Sequence, residues 1–576
     1  MNHKLKKTVA SVVITASIMS TGYSALAAEA SEPAISAQKV ATYKLTEALE
    51  VEVKSVLNER VQEGTRLGVV IRMKNNGNTV TRVPEYELRV KTSEGIQYTL
   101  QPSGVNAKAI QPKANTELSY MTVIDRTDSV SLTEVNWTDV DVYVYPKKET
   151  LIAAAPIQGE AWKGIDTPIT NPTAVKKWSE SFVIPSVISP IQYTPVGINK
   201  ESTIEGTFYV VQFLAYNPAN KRESVPNFVV DGKTDGKIYS GKRVEQGIVA
   251  LEAKEQKYIH FAIPVDQDAV LTSINILTPE TFAQGGGAGA AGGPVTYNVG
   301  RLNVLLPTQG NINNHQAYTL GTPMKFDSLS TLIHPNMEVS VVELHMDENK
   351  VEGFNNVTAK FKLANKSNRP IAVPNFHSDI MSADGYQYNG SKQNITTPSV
   401  LPNSSLTVSF TYSVPASETG SGLALRVLDA KTAAPHKTTI AAYNVELQAA
   451  GENREFSVYP FDVKVRNWTI GAQFNSMTLS YSYKAKFFFD IQRQQQVQVD
   501  PSFSHLQFEF YNSADNLLGT STASFIGLNR LVSGENNISI PQTYDQLGFP
   551  LKVRIYEVFN TETGAEGKRL LGEYKQ

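Results

Sequence analysis

Ala359-Lys-Phe-Lys-Leu-Ala-Asn365-Lys-Ser-Asn368-Arg-Pro-Ile-Ala-Val-Pro374-Asn-Phe376 is the stretch on which the fold turns. Its first half alternates. Ala359, Phe361 and Leu363 share one face and Lys360 and Lys362 the other, which is the period of a strand with one buried side and one wet side. The Asn-x-x-Asn that follows suits a turn, because asparagine tolerates left-handed backbone and hydrogen-bonds its own main chain. Pro374 sits where a strand starts or runs along an edge, so no ladder donor is missed.

The same string occurs twice upstream with identical spacing: Asn75-Asn-Gly-Asn78 before Val83-Pro84-Glu-Tyr86, and Asn217-Pro-Ala-Asn220 before Val225-Pro226-Asn-Phe228. Tyr98, Tyr239 and Tyr388 each close a Gly-x-x-Tyr and follow the proline by 14, 13 and 14 residues. Ile110-Gln-Pro112, Leu251-Glu-Ala253 and Leu401-Pro402 follow it by 26, 25 and 27. Landmarks that hold phase in this way mark tandem units. An eroded fourth copy runs through Tyr483, Ala485, Phe487 and Phe489 into Gln492-Arg-Gln-Gln-Gln496, with Gln494 in the place of the second Asn. In the second copy both strand faces are apolar, from Tyr209 to Ala215, which calls for cover from a neighbour.

These signals predict an all-β chain of tandem, immunoglobulin-like antiparallel β-sandwiches, about four copies with the last diverged. The expected bounds are 31–157, 186–307, 333–450 and 452–576, with linkers at 158–185 and 308–332 that are exposed connections or fold back on a domain. At about 150 residues per domain, 576 residues also suggest about four domains. Placed in a line, sandwiches about 30 Å long would span on the order of 120 Å. The loop Gly285-Gly-Gly-Ala-Gly-Ala-Ala-Gly-Gly293 reads as a flexible tip, since neither a helix nor a basic residue follows it to hold phosphate.

Residues 359–376, with Ala383-Asp-Gly-Tyr386 and Leu401-Pro-Asn-Ser-Ser405, resemble the small immunoglobulin-like extracellular domains of secreted and lipoprotein-type Gram-positive bacterial proteins. That resemblance implies the sandwich and an extracytoplasmic life, and no activity. The family's Gly after the last Pro is replaced here by Lys113 or Asn403.

The first residues predict export. Lys4, Lys6 and Lys7 precede an apolar run from Val9 to Met19, and Ala25-Leu-Ala27 presents a cleavage box, so residues 1–27 read as a signal peptide cut before Ala28. The apolar run is too short to span a bilayer, which takes about 20 residues. Cysteine is absent, which excludes disulfides, thiol catalysis and a lipidated N-terminal Cys. With 53 basic and 55 acidic residues the chain is no nucleic-acid binder.

Catalytic patterns are missing: the histidines lack ligand spacing, and neither a nucleophile elbow nor a phosphate loop occurs. Asp139 and Asp141 alternate onto one strand face, a solvated face or part of a calcium site. Trp162, Trp178 and Gln494 are the ligand-binding candidates, the tryptophans as aromatic platforms for carbohydrate or as linker packing. The expectation is a non-enzymatic secreted envelope protein without cofactor, a spacer or interaction scaffold whose partner is wall polymer or another envelope protein. The alternatives are a wall-binding module array and an accessory subunit of an extracellular hydrolase. The diverged fourth copy is expected to face the partner, its Gln turn near the rim.

Overall fold

The structure, a computed structural model, describes residues 41–157, 161–164, 167–169, 171–284, 294–307, 315–349, 353–449, 454–494, 496–528 and 530–576. The export segment and the loop 285–293 lie outside the described residues. Strands dominate, and the one helical element among the described residues is a 3-10 turn at Pro172–Ala174.

Four successive sets of strands share one connectivity, each around its own apolar core. In the first set, Leu49–Val61 and Gly64–Asn75 form an opening hairpin, and Asn115–Ile124 pairs with its second arm. The facing sheet holds Glu87–Thr92 beside a closing hairpin of Leu132–Asp141 and Lys148–Pro156. Gln97–Pro102 crosses between the sheets and pairs with both. Opening hairpins recur as Gln192–Thr203 with Gly206–Tyr216, Met337–Asn349 with Phe354–Asn365, and Phe461–Asn475 with Ser480–Arg493. Closing hairpins recur as Ser273–Phe282 with Val295–Leu305, Ala424–Asp429 with Thr438–Asn444, and Lys552–Asn560 with Glu566–Lys575. Each opening strand has one bulge at the same register: Val53/Ser55, Pro195/Gly197, Val341/Glu343 and Val465/Asn467. The crossing strand needs room. A Cβ on Gly241 would lie 2.3 Å from the Val230 carbonyl oxygen, and one on Gly390 would lie 2.5 Å from the Tyr412 ring.

The alternation places the core. Leu67, Val69, Ile71 and Met73 are buried, as are Val357, Ala359, Phe361 and Leu363, and Tyr483, Ala485, Phe487 and Phe489. In the second set Val211, Phe213 and Ala215 are buried and Tyr209 half-buried. The first Asn of each repeat is a buried clamp. Asn365 Nδ2 donates to the carbonyls of Arg369 (2.7 Å) and Val400 (2.9 Å), while its Oδ1 accepts from the Ser367 N–H (2.8 Å). Asn75 and Asn217 repeat this on Thr79 and Ile110, and on Lys221 and Leu251. Val400 is therefore the counterpart of Ile110 and Leu251, one residue before the expected Leu401. Left-handed backbone falls not on these asparagines but on Lys113 (φ 61°), Lys254 (φ 62°) and Asn403 (φ 53°), the position where the resemblance expects Gly.

Several expectations need correcting. The lysine face of the third copy is not wet: Lys360 is 0% exposed. The described parts of both connections keep exposed stretches but fold back on the domains. Val175–Lys176 pairs with Asn303–Val304, and Phe182 and Ile184 enter the second core. Gln316–Ala317 pairs with Tyr443–Asn444, and Met324 enters the third core. In the fourth copy Arg493, not Ile491, takes the place of the clamp Asn, because it pairs with Phe461 as Asn75 pairs with Leu49 and Asn365 with Met337. Gln494 therefore lies one residue past that place, not three.

Candidate functional site

The densest chemistry lies where the fourth sandwich meets the third. The bulge after Val341 sets Glu343 opposite Lys360 on the outer face of the opening hairpin. Lys360 Nζ is 2.9 Å from Glu343 and 2.7 Å from Glu557 of the next sandwich's closing hairpin. Arg569, the cross-strand partner of Glu557, completes the ring at 2.8 Å from Glu557 and 3.5 Å from Glu343. All four side chains are at most 4% exposed. Two cations and two carboxylates hold one another where water does not reach, which is the condition under which buried charges are tolerated. His345 and Asp347 continue the same strand face. Burial, reinforced by Arg569, holds the His345 imidazole down at about 4. Burial pushes the Asp347 carboxyl up to about 6, against the pull of Arg569.

Main chain seals this junction. The Asn394 N–H donates to the Asn560 carbonyl (2.9 Å), and the Glu562 N–H to the Lys392 carbonyl (2.9 Å). Asp500 accepts from the N–H groups of Thr396 (3.0 Å) and Thr397 (2.6 Å). Val497–Gln498 adds in parallel to Ser405–Leu406.

The other two junctions use the same surfaces. The second sandwich's closing hairpin lays Phe282, Tyr297 and Val299 on Leu57, Val70 and Met121 of the first, with Trp162 at the margin. Lys54 pairs with Glu280 there, and the Gly104 N–H donates to the Ala283 carbonyl (2.7 Å). The bridges Ser103↔Gln284 and Gln393↔Thr561 occupy matching places at the first and third junctions. Between the second and third sandwiches, Arg426 clasps Asp379 (2.7 and 2.5 Å) and donates to Asn199 (2.8 Å). His436 meets Glu201 (3.3 Å) and the Phe208 ring (centroids 5.1 Å apart), and the Tyr258 hydroxyl donates to Asp327 (2.6 Å). Phe208 thus receives the neighbour's cover that its apolar strand called for. In every case a closing hairpin lies on the outer face of the preceding opening hairpin. The sandwiches meet end-on-face and not end to end, so the in-line arrangement is corrected as well.

The residues singled out from sequence are scattered among structural roles. Trp162 exchanges main-chain hydrogen bonds with Asn58 (2.7 Å) and Val56 (2.8 Å), and its ring lies 5.3 Å under the Arg301 guanidinium. With Tyr43 and Lys54 it lines an open cleft of about 950 Å³ between the first two sandwiches. Trp178 packs on the second core. Gln494 is exposed and donates its N–H to the Pro460 carbonyl (3.0 Å). Two residues on, the Gln496 carbonyl accepts from Ser405, so the Gln turn meets the third sandwich and not a free rim. Tyr98, Tyr239 and Tyr388 stand on the crossing strands, half-buried against their own cores. Asn78, Asn220 and Asn368 are exposed; Pro84, Pro226 and Pro374 lie just ahead of a strand. Asp139 and Asp141 are exposed, and Asp141 accepts the Tyr143 N–H (3.0 Å). Among the described residues no group of three or more His, Asp or Glu is placed to hold a metal, and no helix is long and apolar enough to cross a membrane.

Sequence reasoning missed the junction residues Glu343, Asp379, Arg426, Glu557 and Arg569. The usable signal was Val341-Val-Glu-Leu-His-Met-Asp347, where charge alternates with apolar residues opposite a lysine-bearing strand. The chain matches no family model and no curated protein.

Proposed function

We propose that this chain is an exported, non-enzymatic envelope protein of Gram-positive type, a scaffold that holds immunoglobulin-like sandwiches in a fixed relation to one another. The observation that carries the reading is that all three junctions are built: the first by an apolar cluster, an ion pair and main-chain hydrogen bonds, the second by side-chain contacts of Arg426, His436 and Tyr258, and the third by a buried ion ring and main-chain hydrogen bonds. Such contacts make the array rigid, which is what a scaffold requires and a string of loosely tethered binding modules does not. The four charges at the third junction pair with one another, which gives them a structural task. The Ala-x-Ala box and the resemblance of residues 359–376 support export.

Fractionation tests the reading. The protein is expected in the wall or medium fraction with Ala28 at its N-terminus; recovery from the cytoplasm beginning at Met1 would overturn it. Wall-polymer binding remains the alternative, and retention on purified wall through a high-salt wash would favour it over the scaffold.

A further inference from the structure

The junction is directional, and that leaves one half of it unused at each end. The closing hairpins of the second, third and fourth sandwiches are seated, and so are the opening-hairpin faces of the first, second and third. Among the described residues two elements have no intramolecular counterpart: the first sandwich's closing hairpin and the fourth sandwich's opening-hairpin face.

The register makes positions comparable. Val135 pairs with Val90 as Ile274 pairs with Gly232 in the next sandwich. Counting onward, Asp141 matches Glu280 and Tyr143 matches Phe282. Phe282 is buried against the first sandwich, whereas Tyr143 is 97% exposed and Tyr145 99%. Val142, Val144 and Leu151 of the same hairpin are exposed too. On the receiving side the bulge residue Lys54 matches Arg466, and Val70 matches Phe488 by its place opposite the bulge. Phe488 is half-exposed, and Lys484 and Lys486 share its strand face, Lys486 paired with Glu535 (3.2 Å). Arg466 pairs with Asp490 (2.6 Å) in an exposed pair, which is worth little.

We propose that the first sandwich's closing hairpin docks on the fourth sandwich's opening-hairpin face of a second copy, so that chains join head-to-tail. Tyr143 packs on Phe488 as Phe282 packs on Val70. Asp141 pairs with Arg466 as Glu280 pairs with Lys54, taking the guanidinium over from Asp490. A contact of this kind uses two different surfaces, so it propagates into open chains unless the rotation closes a ring. It rests on the junctions alone and does not depend on export.

Sedimentation velocity of the full chain from about 1 µM to about 100 µM tests it. The average mass should rise with concentration, and less so at high salt, where charge pairing is screened. Tyr143→Ser with Tyr145→Ser should leave a monomer. So should Asp141→Arg or Arg466→Glu alone, since each sets like charges together. Mixing the Asp141→Arg and Arg466→Glu chains should restore association. These side chains are exposed, and an unchanged circular dichroism spectrum will show that each variant folds. A monomer at every concentration overturns the proposal, as does association that the hairpin substitutions do not weaken. If wild type is monomeric but the tyrosine substitutions release it from cell wall, the hairpin serves a foreign partner and self-joining is refuted.

Discussion

Replacing Lys360 by Met removes one cation from the ring at the third junction and leaves Glu343 and Glu557 sharing Arg569. The Lys360 side chain is fully buried and meets both carboxylates, at 2.9 and 2.7 Å. Taking one partner from a buried pair typically costs about 3–5 kcal/mol, because the remaining charge stays out of water. Restoring the balance with Glu557→Gln should return most of that loss, leaving the double variant more stable than Lys360→Met alone. Several domains unfold in this chain, so one midpoint is not a sound readout. The measurement is urea unfolding followed by limited proteolysis between the third and fourth sandwiches, with the two single variants and the double forming a cycle. Lys360→Met should open that junction at markedly lower urea, and its cost should be strongly non-additive with that of Glu557→Gln. A Lys360→Met protein within about 0.5 kcal/mol of wild type would refute the reasoning.

Asn365→Ala should cost about 2–4 kcal/mol, since two buried carbonyls and one N–H lose their partner, while Asn368→Ala on the exposed side of the same turn should stay within about 0.5 kcal/mol; urea unfolding followed by proteolysis within the third sandwich checks this. Asp347 makes a pH prediction. Its carboxyl is raised to about 6 by burial, so its neutral form favours the closed junction, and that contribution is full near pH 4 and lost as pH rises through 6. Asp347→Asn should therefore raise junction stability at pH 8 by up to about 3 kcal/mol and change little near pH 4. His345 runs the other way: held down at about 4, its neutral form stabilises the junction above pH 6.5, and protonation withdraws that support as pH falls through 4. His345→Gln should accordingly flatten the acid limb of the stability profile.

What the sequence disclosed follows from the range of each interaction. Alternation at Val357, Ala359, Phe361 and Leu363 is a local property of the strand, so the core face could be read directly. The Asn repeat was visible too, but its purpose was not. The clamp reaches a carbonyl 35 residues away, and a turn reading of Asn365 looks only at its immediate neighbours. The fourth copy was read two residues out of place because Arg493 has replaced the clamp Asn and removed the landmark. Lys360 looked solvated for the same reason of range, since Glu557 lies far along the chain in another sandwich. The tryptophans lay outside any repeat, so nothing local distinguished a platform from packing, and Trp162 and Trp178 both pack.

The central claim is that successive sandwiches are fixed to one another by one kind of junction. The chain contains no cysteine, so two introduced thiols can carry spin labels without background. Labels on the exposed hairpin loops at Ser93, Asp235, Asp384 and Ser513, taken in adjacent pairs, place one probe in each of two neighbouring sandwiches. Pulsed electron–electron distance measurements should give a single narrow distribution for each pair, unchanged by salt at the first junction and broadened at the third by Lys360→Met. Broad distributions in the unmodified chain would mean that the sandwiches move independently, and would contradict the account.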